Sequence, residues 1–94
     1  MKKNPRLDGG FGMVSKSVIA DPDLSLKDKG VYAYLAIYAD SVTNELTVSV
    51  NKMAAELGVT QATVKRSLKI LEEKQIILRV YKGVKITRKT ILLK

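Results

Sequence analysis

The stretch NKMAAELGVTQATVKRSLKILEEK, residues 51–74, constrains this chain more than any other part of it. It reads as two short helices joined by a tight turn at Gly58. Met53, Ala54 and Leu57 give the first helix an apolar face. Gly58 suits the left-handed backbone that ends a helix. Thr60 suits the N-cap of the second helix, its hydroxyl accepting from the N–H of Thr63. Val64, Leu68 and Leu71 then recur at i, i+4 and i+7, the spacing of one buried stripe. Ala62, Lys65, Arg66, Lys69 and Glu73 lie opposite that stripe. The second helix therefore has one side for packing and one cationic side for a partner.

Charge narrows the class of partner. The formal net charge is +8 and the sequence pI about 9.8, which favours an anionic partner. Residues 1–64 carry seven Lys/Arg and seven Asp/Glu, whereas residues 65–94 carry ten and two. The whole excess thus lies on the second helix and the residues C-terminal to it.

Other chemistry is excluded by what is missing. The sequence has no cysteine and no histidine. That removes a disulfide framework, thiolate metal sites, most zinc sites and most general-base chemistry. Glu72 and Glu73 are adjacent and diverge on a helix, and there is no Gly-rich phosphate loop. An enzyme is not expected, nor a cofactor or a metal. No apolar run approaches the ~18 residues of a membrane span. Residues 1–6, MKKNPR, lack the apolar stretch of a signal peptide. A cytoplasmic, nucleoid-associated protein is the expectation.

In chain order, residues 1–10 read as a flexible arm and residues 11–94 as one domain. Lys2, Lys3 and Arg6 would let the arm reach a groove of nucleic acid. In FGMVSKSVIA, residues 11–20, Phe11, Met13 and Val14 read as extended, and residues 15–20 as a helical turn docking Val18 and Ile19. Asp21-Pro22-Asp23 is a turn. Ser25 and Asp28 resemble a capping box opening a helix that runs to about Asp40. Its apolar stripe is read as Val31, Leu35 and Tyr38, with Tyr32, Tyr34 and Ala39 beside it. Ala33, Ala36 and Ile37 leave little polar surface on the far side, so the helix needs cover there. Residues 11–19 are the favoured cover; a second subunit is the other candidate. A polar loop, residues 41–45, leads to a short strand, LTVSV, residues 46–50. Residues 76–93 read as a β-hairpin with its turn somewhere between Lys82 and Arg88.

The pattern Met53-Ala54-Ala55-Glu56-Leu57-Gly58-Val59-Thr60, then Thr63-Val64, then Leu71-Glu72, resembles a helix-turn-helix of the winged-helix family. The resemblance extends over roughly residues 24–93. It implies an α+β winged helix-turn-helix, with a three-helix core, a small antiparallel sheet and a C-terminal hairpin wing. Residues 11–46 also resemble the lead-in of winged-helix domains in phage and plasmid replication initiators. That family's domain often precedes a larger part, whereas this sequence stops at Lys94 just after the hairpin. An excised domain and a stand-alone small regulator are both compatible with that.

The resemblance and the charge together imply sequence-specific binding of double-stranded DNA. Gln61, Ala62, Thr63, Lys65 and Arg66 would face base edges in the major groove. Gln pairs with adenine, Arg with guanine, and a methyl of Ala or Thr meets that of thymine. Thr60 would meet a phosphate at the helix N-terminus. Lys52 and Lys69 would touch the backbone, and Lys82, Lys85, Arg88 and Lys89 would act from the wing. Transcription regulation and replication initiation are the two uses this implies. A homodimer fits this class of DNA reader. The competing function is a protein–protein interaction module using the apolar face of helix 25–40.

Overall fold

The computed structural model describes residues 12–40, 42–47, 49–82 and 87–94, and of residues 81, 82 and 87–89 the backbone alone. The elements are α1 (Lys16–Ile19), α2 (Leu26–Tyr38), β1 (Glu45–Thr47), α3 (Val50–Leu57), α4 (Gln61–Glu73), β2 (Ile77–Lys82) and β3 (Thr87–Leu92). Three main helices pack with a three-stranded antiparallel sheet of order β1-β3-β2. This is the α+β arrangement expected of a winged helix-turn-helix.

α2 begins as the sequence predicts. Ser25 Oγ accepts from the Asp28 N–H at 3.1 Å, and Asp28 Oδ2 accepts from the Ser25 N–H at 3.1 Å. The helix ends at Tyr38 rather than near Asp40, and Ala39 is already extended at ψ 145°. The Asp40 side chain then caps the loop, Oδ1 accepting from the N–H groups of Val42 and Thr43. Those two donors hold its carboxyl below the usual carboxylate range.

The buried stripe of α2 is Asp28, Val31, Tyr32, Leu35 and Ala36, a helical i, i+3, i+4, i+7, i+8 series. Tyr32 is only 1% exposed, whereas Tyr38 is 52% exposed. The expected stripe through Tyr38 is therefore rotated by a flank. Apolar residues alone give the wrong phase, because Asp28 sits inside the stripe.

Residues 12–19 cover α2 in part. A Cβ on Gly12 would lie 2.6 Å from Ile37 Cα and 2.7 Å from the Ala36 carbonyl oxygen, so the two backbones touch there. The Ser15 N–H donates to the Tyr32 hydroxyl at 2.8 Å. Val18 enters the core, but Ile19 does not dock as expected; it is 38% exposed. Four residues of α1 place only one side chain inward. Met13 and Val14 are exposed, and Phe11 lies outside the described residues.

The strand read as residues 46–50 is β1, Glu45–Thr47. Ser49 and Val50 belong to α3 instead: Ser49 Oγ accepts from the Lys52 N–H, and Val50 opens the helix. β1 pairs with β3, Leu46 opposite Thr90, and β2 pairs with β3, Val80 opposite Lys89 and Tyr81 opposite Arg88. Ile76 lies before β2, not in it, and is buried. The hairpin turn, with Gly83 and Lys85, lies outside the described residues.

Candidate nucleic-acid interface

The helix-turn-helix is built by three local devices. Ser49 caps α3 at its start, and Gly58 closes it at φ 70°. The Gly58 and Val59 N–H groups both reach the Ala54 carbonyl, which uses up an end group the helix leaves unpaired. Thr60 then caps α4, its hydroxyl accepting from the Thr63 N–H at 3.2 Å. Three residues, 58–60, thus turn the chain between helices.

α4 is amphipathic in the expected sense. Val64, Ser67, Leu68 and Leu71 are buried. Burying Val64 and each Leu stabilises the packing by about 1.5–3 kcal/mol. At a helical step of ~100° per residue, Ala62, Arg66, Lys69 and Glu73 fall opposite that stripe, with Lys65 on the flank of the same outer face and Gln61 at the margin of the stripe. All six are exposed. Among the described residues, no ion pair engages Lys65, Arg66 or Lys69. Three cations are therefore held on a rigid element with no ion-pair partner among those residues.

Two expected residues stand elsewhere. Thr63 is half-buried, and its hydroxyl is 2.9 Å from that of Thr60. Its side of α4 borders a groove of about 200 Å³ with Leu26, Gly30, Leu57 and Val59. Thr63 is thus turned toward α2 rather than onto the cationic face. Lys52 lies on the α2 side of α3, its Nζ 3.9 Å from Glu56 and 5.9 Å from the centre of the Tyr38 ring. At 69% exposure, that ion pair does little to hold the lysine.

Beside Lys52 is a cluster the sequence did not announce. The Tyr34 and Tyr38 rings lie 4.6 Å apart and their hydroxyls donate to the two oxygens of Glu56, at 3.0 and 3.1 Å. Burial, then the Glu56 hydrogen bond and charge, push the Tyr34 hydroxyl up to about 12. The same carboxylate pushes Tyr38 up. The i, i+4 spacing of the two tyrosines was visible, but their acceptor comes from another helix.

Lys74 is withdrawn from the basic surface. Its Nζ pairs with Asp21 at 3.1 Å and Asp23 at 3.6 Å. The hydrogen bond that Lys74 donates to Asp21 raises Lys74, and Asp21 is lowered by the Asp23 N–H and by Lys74. α4 then ends with Gln75 in the left-handed region, φ 59°, and the Ile76 N–H on the Leu71 carbonyl at 2.9 Å.

On the hairpin, the backbones of Lys82, Arg88 and Lys89 lie in β2 and β3. Lys85 is outside the described residues, as are Lys2, Lys3 and Arg6. Among the described residues, no group of three His, Cys, Asp or Glu is placed to hold a metal ion, and no helix is long and apolar enough to cross a membrane.

The sequence pattern of the family described as "Helix-turn-helix domain" matches residues 23–77, more than half of the 94. The matched span runs from the turn before α2 to the first residue of β2. No curated protein and no solved structure matches the chain.

Proposed function

The chain belongs to the helix-turn-helix domain family, and on that premise we propose that it binds double-stranded DNA sequence-specifically through α4. The observation that carries this reading is the face of Lys65, Arg66 and Lys69: exposed, without an ion pair among the described residues, and opposite a buried stripe. In this reading the N-terminal half of α4 lies in the major groove. Gln61, Ala62, Lys65 and Arg66 meet base edges, with Thr63 at the margin. Thr60, Lys52 and Lys69 meet phosphates. Lys82, Lys85, Arg88 and Lys89 act from the β2–β3 hairpin as a wing. Residues 1–10 serve as an arm and residues 11–94 as the binding domain.

The use we propose is control at an operator or an origin, as a transcriptional regulator or a phage- or plasmid-type replication initiator in the cytoplasm. Selection of sites from a random duplex pool separates the two. A palindrome carrying two protomers marks a regulator; direct repeats mark initiation.

A second reading is favoured by Ile37 and Tyr38 of α2, which remain 50% and 52% exposed. There α2 serves a protein partner or a second copy. Gel shifts across a salt series decide between the readings. About six phosphate contacts predict a loss of about a thousandfold in affinity between about 50 and 200 mM salt. Indifference to duplex DNA together with tight self-association supports the α2 reading instead.

A further inference from the structure

The packing of α4 on α2 draws on one apolar core, with Val31 and Leu35 from α2 and Val64, Leu68 and Leu71 from α4. Apolar contact is non-directional, so such a stripe resists separation more than it resists rotation. Among the described residues, one side-chain hydrogen bond joins the two helices. Ser67 Oγ donates to Asp28 Oδ1 at 2.7 Å. A hydrogen bond has angular preferences that a methyl contact lacks.

Both groups are sealed, Ser67 at 2% exposure and Asp28 at 5%. Turning α4 enough to break the bond would leave a carboxylate oxygen and a hydroxyl buried without partners. Asp28 is itself held, because its other oxygen and its N–H are both engaged with Ser25. The Ser25 N–H, a backbone group, thus holds the Asp28 carboxyl, and that carboxyl fixes Ser67; the Ser25 hydroxyl touches only the Asp28 N–H.

Arg66 adjoins Ser67 in the chain, and Lys65 and Lys69 are two residues away on either side. A helix is about 10–12 Å across with its side chains, so a turn of about 20° would sweep its outer face by about 2 Å. A base contact needs its side chain placed within about 0.5 Å. We infer that Asp28, through Ser67, sets the azimuth at which α4 presents Lys65, Arg66 and Lys69. Ser67 and Asp28 are then positioning residues for sequence discrimination. This role rests on the proposed binding of DNA by α4.

The test uses the full chain, a duplex selected from a random pool, and a scrambled duplex of the same composition. Ser67→Ala is compared with Ser25→Ala, which weakens the same capping box without removing the α2–α4 link. Ser67→Ala should lose roughly tenfold on the selected duplex, about one base contact, and stay within about twofold on the scrambled one. Ser25→Ala should lower the melting temperature and leave discrimination intact. If Ser67→Ala fails to fold, Ser67→Cys, a weak donor of similar size, takes its place. Equal discrimination by Ser67→Ala and wild type overturns the inference. So does a loss by Ser25→Ala as large as that of Ser67→Ala, which would tie discrimination to stability alone. A wild-type chain that treats both duplexes alike refutes sequence-specific recognition, and the positioning role with it.

Discussion

The Tyr32 hydroxyl donates to the Lys94 carbonyl at 3.0 Å, across 62 residues of chain. The same oxygen accepts from the Ser15 N–H, so one buried phenol joins the lead-in, α2 and the end of the chain beyond the sheet. Tyr32→Phe keeps the ring and deletes both bonds. It should cost about 1–3 kcal/mol, measured by urea denaturation, because two backbone groups lose a buried partner. Binding to DNA, measured where the variant remains fully folded, should be unchanged.

Two glycines should respond to alanine with opposite signs. Gly30 lies inside α2, and a Cβ there meets nothing within 4 Å. Gly30→Ala should stabilise the fold by about 0.5–1 kcal/mol, through helix propensity. Gly12→Ala drives a methyl into the backbone at Ile37 and should destabilise or displace residues 12–15. Thermal melts of the two variants read the difference directly.

Gln75 is left-handed where a glycine would sit without strain. Gln75→Gly should raise stability by about 1 kcal/mol, the cost of that conformation for an L-residue. Gly58→Ala, at φ 70°, should lower it by a similar amount. Paired denaturation curves check both signs.

Alkaline pH should weaken the fold through Tyr34. Its hydroxyl is raised in the folded chain from the ordinary 10.0 to about 12, chiefly by burial and by Glu56. A group raised on folding contributes stability that is whole below the unfolded value and is lost as pH rises through the folded one. The loss therefore falls between pH 10.0 and about 12. Tyr34→Phe should remove that component of the pH–stability profile. A phenolate titration should show Tyr34 and Tyr38 ionising above the ordinary tyrosine value.

Much of this architecture was legible in residues 51–74, because each device there is local. Gly58 declared a left-handed cap, Thr60 an N-cap, and Val64, Leu68 and Leu71 a stripe. The capping box at Ser25 and Asp28 was legible for the same reason. What escaped the sequence depends on distant partners. Asp28 reads as a cap, and its second role appears only when Ser67 arrives from 39 residues away. Lys74 counted toward a basic surface until the fold set Asp21 and Asp23 beside it. The end of α4 carried no glycine to mark it, and the left-handed Gln75 went unannounced. Tyr38 looked like core because its acceptor, Glu56, lies on another helix.

Arg66 carries the sharpest sequence-dependent prediction. Arg66→Ala should cost roughly 1–3 kcal/mol on the preferred duplex and relax preference at one base position. Lys69→Ala should weaken all duplexes alike and reduce the salt dependence by about one counterion.

The most direct test is a backbone amide shift map recorded while duplex DNA is titrated into the labelled chain. The largest shifts should fall on Gln61 to Lys69 and on strands β2 and β3 of the hairpin, with the amides of Leu26 to Ala36 little changed. Shifts confined to α2, or none at a duplex concentration that saturates a gel shift, would contradict the assignment of α4 as the DNA-reading helix.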